Sequence, residues 1–145
     1  MFNTILVPTD GSELADKAIT AAVEFARQNN SRLIGLAVGE PYPFSPLSEP
    51  AFLPDRASYE KEIQVATQMH VQKIAAAADK AGVPFEILTI LSADPASEII
   101  NVADKHGCDI VFMASHGRRG IDRLLLGSVT QKVLLRSTVP VLVFR

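Results

Sequence analysis

The chain carries a single cysteine, Cys108, so no internal disulfide can form. That thiol stands just before an apolar run, where it reads as a small buried hydrophobe rather than a reactive group. Charge of one sign is also missing. Fourteen basic residues face sixteen acidic ones, for a formal net charge of -2, which predicts no general affinity for nucleic acid or an anionic membrane surface. No apolar run approaches the ~20 residues needed to span a bilayer. The opening Met1-Phe2-Asn3-Thr4-Ile5-Leu6-Val7-Pro8 lacks a basic leader region, and its apolar stretch is too short for a secretory signal. A cytoplasmic location is the expectation. The three histidines and one cysteine show no zinc spacing. No Gly-x4-Gly-Lys-Ser/Thr phosphate loop occurs, and no dense carboxylate site is visible, so fast phosphoryl transfer is not expected. No repeat or domain-splitting linker interrupts residues 1–145, a length that suits one domain with a real core. With 48% hydrophobic and 21% charged residues, the composition argues against disorder.

What the chain does have is strand and helix patterns alternating from end to end. Thr4 to Val7 is a β-type run that Pro8 is expected to end. Ser12 is placed to cap a helix with Glu13 and Asp16 in its first turn. Leu14, Ala18, Ala22, Phe25 and Ala26 recur there at helical spacing. Arg32 to Val38 predicts a second strand. Ile63, Ala66, Ile74 and Ala77 mark a long helix stopped at Gly82, and Pro84 to Leu91 a third strand. Asp94-Pro95 opens the next helix, aspartate as cap and proline as first helical residue, with Ile99, Ile100 and Ala103 facing inward. Asp109 to Met113 and Val139 to Phe144 supply the last two strands. Ser128 with Gln131 makes a capping-box pattern for the helix between them. Strands alternating with helices imply a parallel sheet with helices on both faces. In such sheets, ligands bind beyond the strand C-termini where the winding reverses.

The most informative run is Ile110-Val111-Phe112-Met113-Ala114-Ser115-His116-Gly117-Arg118-Arg119-Gly120, continuing to Gly127-Ser128. An apolar strand breaks into a glycine-containing basic loop, and a helix follows. This arrangement presents backbone N–H groups to a phosphate, because the first N–H groups of a helix lack internal partners and carry the positive end of its dipole. Arg118, Arg119 and Arg123 add positive charge; their alternative reading is a solvated loop beside Asp122. His116 suits phosphate donation or simple exposure better than general-base work, since no nucleophile and orienting group accompany it in sequence. Asp10, after the first strand, suits ribose hydroxyls or a metal held through water. It equally suits an Asx-type turn in Asp10-Gly11. The proline-rich stretch 39–54 follows the second strand. It reads either as a lid or partner-docking loop, or as a surface excursion whose aromatics pack back on the domain.

The segments Ile5-Leu6-Val7-Pro8-Thr9-Asp10-Gly11-Ser12, Asp109 to Gly117, Leu124-Leu125-Leu126-Gly127-Ser128-Val129-Thr130 and Val139 to Val143 resemble, in order and spacing, the universal stress protein family over nearly the whole chain. The resemblance implies an open five-stranded parallel sheet with helices on both faces, Rossmann-like or adenine nucleotide α-hydrolase-like, in strand order 3-2-1-4-5. The ATP-binding branch of the family has a Gly-x2-Gly-x9-Gly-Ser/Thr pattern. Gly117 and Gly127-Ser128 match it, whereas Ala114 replaces the first glycine. By this resemblance, Pro8, Thr9 and Asp10 would lie beside adenine and ribose, and Val38 would meet the adenine edge. Ala114, Ser115, His116, Gly117, Arg118, Arg119 and Gly120 would wrap ribose and phosphates. Gly127, Ser128, Val129 and Thr130 would hold the phosphate end. The implied ligand is ATP, or AMP or ADP, with Mg²⁺ or Mn²⁺ and, at most, slow hydrolysis.

Two alternatives stay open. Ala114 raises a homodimeric interaction module with a vestigial pocket. A nucleotide-activating enzyme of the α-hydrolase-like group is the weaker one, because Thr9-Asp10-Gly11-Ser12 does not match that group's Ser-Gly-Gly loop. The apolar strand 139–144, with Pro140 near its start, reads as an edge strand, and pairing with its own copy would give a homodimer.

Overall fold

The computed structural model describes residues 1–42, 55–117 and 125–145. Residues 43–54 of the proline-rich stretch, and Arg118, Arg119, Gly120, Asp122 and Arg123 of the glycine loop, lie outside the described residues. The elements run β1 (Thr4–Thr9), α1 (Glu13–Asn29), β2 (Arg32–Gly39), α2 (Arg56–Lys80), β3 (Phe85–Leu91), α3 (Pro95–Lys105), β4 (Ile110–Ala114), α4 (Ser128–Arg136) and β5 (Val141–Phe144). The five strands form one parallel sheet in the order β3-β2-β1-β4-β5, as the resemblance implies.

Alternate residues of β1 enter opposite cores, as the two-residue period of a strand requires. Ile5 and Val7 pack with Ile19, Ala22 and Val23 of α1 and Val71 and Ile74 of α2. Leu6 packs with Ile99 and Val102 of α3 and Val133 of α4 on the other face. The caps read from sequence hold for the first and third helices. Ser12 Oγ accepts the Ala15 N–H at 3.2 Å, and Asp94 Oδ1 accepts the Ser97 N–H at 3.3 Å. Cys108 is buried beneath α3, and burial pushes its thiol up to about 11.

Pro8 does not end β1, which runs on to Thr9. The reason lies in the alternation of the ladder. Arg32 N–H donates to Asn3 O at 2.9 Å, whereas Asp109 N–H donates to Thr4 O at 2.8 Å. Successive β1 residues therefore address β2 and β4 in turn. Pro8 falls on the β4 side, where pairing stops at Leu6↔Val111. Its missing N–H costs the sheet no hydrogen bond. Pro140 likewise stands just outside β5, which begins at Val141, and its carbonyl accepts the Val111 N–H at 3.0 Å.

Candidate functional site

The sheet opens where β1 and β4 part. They pair only at Ile5↔Ile110 and Leu6↔Val111, while β1 continues three residues further and β4 turns to β5 through Ala114↔Phe144. A crevice at the reversal of winding is the position that this topology offers to a ligand.

One lip is the exit of β1. Thr9 is buried, and its Oγ1 accepts the Gly11 N–H at 3.1 Å. Asp10 Oδ1 accepts the Ser12 N–H at 3.0 Å, so the Asx turn is present. Gly11 has φ +79°, and the His70 ring of α2 occupies the space a β-carbon would need there. Both constraints demand glycine at this corner. His70 was not a sequence candidate; nothing local links an α2 residue to the first turn. Pro8 and Val38 are half-buried at the C-terminal ends of β1 and β2, with Val38 packed on the α3–α4 core.

The other lip is the exit of β4, and it is tied at its neck. Ser115 N–H donates to Phe144 O at 2.6 Å, and Gly127 N–H donates to Ser115 O at 2.7 Å. Thr130 Oγ1 donates to Ala114 O at 2.9 Å. Ser115 Oγ and His116 Nδ1 are 3.0 Å apart, which gives the imidazole a fixed neighbour. A β-carbon on Gly127 would stand 3.1 Å from His116 Cα and 3.3 Å from Ser115 O, tighter than main chain readily tolerates. The two lips touch. The Asp10 carboxylate lies against Gly117, with Oδ2 where a β-carbon would be. The crevice expected from the topology therefore brings Asp10 to the glycine loop.

The start of α4 differs from the capping-box expectation. Gly127, in extended conformation (φ -60°, ψ 151°), is the N-cap, and no side chain caps it. Ser128 is the first helical residue, and Gln131 Nε2 donates to Leu126 O at 2.6 Å instead of reaching the cap. Close approach to His116 disfavours a side chain at position 127, and the cap there is glycine. Gly127 N–H already has its acceptor in Ser115 O. Ser128 is exposed, Val129 half-buried, and Thr130 buried with its hydroxyl turned inward. The Thr130 hydroxyl is engaged by Ala114 O. The N–H groups of Ser128, Val129 and Thr130 precede the first intrahelical bond, Gln131 N–H to Gly127 O, and have no acceptor within α4.

Ala114 is the last residue of β4, and its φ is not positive; Asn30 alone among the described non-glycine residues has a positive φ. Alanine sits there without backbone strain. Among the described residues, no group of three His, Cys, Asp or Glu side chains could hold a metal. Glycine packing at 117 and 127, helix-start amides without intrahelical acceptors, and a carboxylate on the facing lip fit a phosphorylated, hydroxyl-bearing ligand. No helix among the described residues is long and apolar enough to cross a membrane.

The universal stress protein family model matches residues 1–145. The universal stress protein YxiE of Bacillus subtilis is 33% identical over 149 residues, covering 100% of both chains. The solved structure of MJ0577, a universal stress protein of Methanocaldococcus jannaschii, superposes with a TM-score of 0.81 at 27% identity, covering 99% of this chain and 96% of that one. A universal stress protein solved in complex with cAMP superposes with a TM-score of 0.69 at 25% identity, covering 99% of this chain and 97% of that one. Full-length agreement in both sequence and fold, with the motif segments in place, leaves one assignment: the chain belongs to the universal stress protein family.

Proposed function

We propose that this chain is an adenine-nucleotide-binding stress-response or signalling protein. It holds ATP, ADP or AMP in the crevice between β1 and β4, with at most slow hydrolysis. The observation that carries this reading is the meeting of the two lips, where Gly117 lies on the Asp10 carboxylate and Gly127 lies on His116. A relative solved with cAMP supports the adenine class.

In this reading Pro8, Thr9, Asp10 and Val38 face adenine and ribose, and the Asp10 carboxylate accepts from ribose hydroxyls or orders water around Mg²⁺ or Mn²⁺. Such a cation would bridge phosphate oxygens and offset their charge. Ser128 and Val129 offer amides to the phosphates, and His116, with Arg118, Arg119 and Gly120 of the loop, completes the wrap. Unstrained Ala114 supports an intact pocket over a vestigial one. Thermal unfolding with ATP and Mg²⁺ tests this, since a ligand at 100 times its Kd should stabilise the fold by about 2.7 kcal/mol. No shift up to millimolar ATP would favour the interaction module instead.

The proposal extends to a homodimer. Edge strand β5 exposes Leu142, and the preceding α4 exposes Leu134 and Leu135, the latter 85% accessible. Antiparallel pairing of β5 with its copy would satisfy the open edge and cover these leucines. Light scattering at micromolar concentration should give the mass of two chains; the mass of one would contradict it.

A further inference from the structure

We propose that the Thr130 side chain is a positioning group of the phosphate end, its hydroxyl acting through the Ala114 carbonyl rather than by contact with the ligand. The inference rests on the nucleotide reading above. Thr130 is 2% exposed, and its Oγ1 donates to Ala114 O at 2.9 Å. A hydroxyl that is both buried and engaged is closed to a phosphate. What it does instead is join two elements. Ala114 is the last residue of β4, and Thr130 lies in the first turn of α4, so this bond pins the helix start to the strand end.

A second bond runs beside it, Gly127 N–H to Ser115 O at 2.7 Å. The loop from Ser115 to Gly127 is thus closed at its neck by one main-chain bond and one side-chain bond. Ser128 and Val129 stand between the two anchored residues, Gly127 and Thr130. Their amide directions are set by how firmly those residues are held. Preorganised donors bind an anion without the cost of ordering them on arrival. Adenine and ribose, in contrast, are assigned to Pro8, Thr9, Asp10 and Val38 on β1 and β2, which this bond does not reach. The loss should therefore appear with phosphorylated ligands and not with the bare nucleoside.

Calorimetric titration of ATP with Mg²⁺, and separately of adenosine, into the full chain decides the matter. Thr130→Val keeps the shape but not the donor. It should weaken ATP about tenfold, the scale of one hydrogen bond, while adenosine stays within about twofold. Thr130→Ser keeps the donor without the γ-methyl and should hold ATP affinity within about threefold of wild type. The inference is overturned if Thr130→Val binds ATP as wild type does, or if it loses ATP and adenosine by the same factor, which would mark general loosening of the fold. Should Thr130→Val fail to fold, Thr130→Ser decides alone: retained ATP affinity supports positioning, and a loss beyond about tenfold shows that the methyl packing mattered. A wild-type chain that binds neither ligand removes the nucleotide reading itself, and this inference with it.

Discussion

Replacing Gly117 by alanine should expose how tightly the two lips of the crevice are pressed together. The added β-carbon would fall on Asp10 Oδ2, so either the carboxylate or the loop must move. Small-to-large changes of this kind cost about 1–3 kcal/mol. Gly117 does not have a positive φ, so alanine brings no backbone strain. It even gains about 0.4–1 kcal/mol by restricting the unfolded chain. The net loss in the wild-type background is then about 0–2.6 kcal/mol, up to several degrees in Tm for a chain of this size. The contact can be isolated by a double-mutant cycle. Asp10→Ala removes the atoms that the new methyl would strike, and its own loss of the Ser12 hydrogen bond is common to both arms of the cycle. In that background Gly117→Ala should be neutral or slightly stabilising, giving a coupling of about 1 kcal/mol or more. Urea unfolding midpoints of the four proteins measure it. An equal cost of Gly117→Ala in both backgrounds would refute the argument that the Asp10 carboxylate is what the glycine accommodates.

Ser12→Ala should cost about 1 kcal/mol, because Ser12 Oγ caps α1. Ser128→Ala should change stability by less than about 0.5 kcal/mol, since Gly127 is the cap of α4; a matching loss at both serines, read from urea midpoints, would restore the capping box. The buried Cys108 thiol, raised from 9.0 to about 11 mainly by burial, is held protonated by the folded state. A raised folded value contributes stability below pH 9 that is lost as pH rises toward 11, by about 2–3 kcal/mol in all. Cys108→Ala should flatten that portion of the pH–stability profile, and an unchanged slope would mean that the thiol is reachable by water. Gly127→Val should weaken ATP binding by more than about tenfold, beyond the effect of His116→Ala, which removes at most one hydrogen bond. The valine side chain meets His116 Cα and blocks the approach to α4; equal losses in calorimetry would count against the assignment of the phosphate end.

The fold was legible because its signals are local. Ser12 and Asp94-Pro95 mark helix starts by chemistry that acts within one turn, and the structure places both caps there. The apolar run Ile110 to Met113 is buried on both sides, as a near-continuous hydrophobic strand in a parallel sheet must be. Two local signals misled for a reason that is tertiary. Pro8 reads as a strand end because proline lacks an N–H, but the cost depends on whether a neighbour would have used it, and β4 has already turned away. Ser128 and Gln131 carry a capping pattern, yet position 127 passes within 3.1 Å of His116, where a side chain is crowded, and the cap moves back one residue to glycine. His70 and the inward turn of the Thr130 hydroxyl had no sequence signal at all. Each is defined by a partner in another element.

The three positions of the glycine pattern are not physically equivalent. Gly11, outside that pattern, is glycine for backbone conformation as well as space, at φ +79°. Gly117 and Gly127 do not have positive φ; what they supply is room, against Asp10 in one case and against His116 and Ser115 in the other. Ala114 stands before the loop begins, as a strand residue paired with Phe144, and its carbonyl is held by Thr130. Its φ is not positive and its backbone is part of the ladder, so a methyl group brings no backbone strain there. The departure at the first position and the retention at the other two thus follow from one rule: glycine is favoured where two segments press together, and alanine serves where the chain is still part of the sheet.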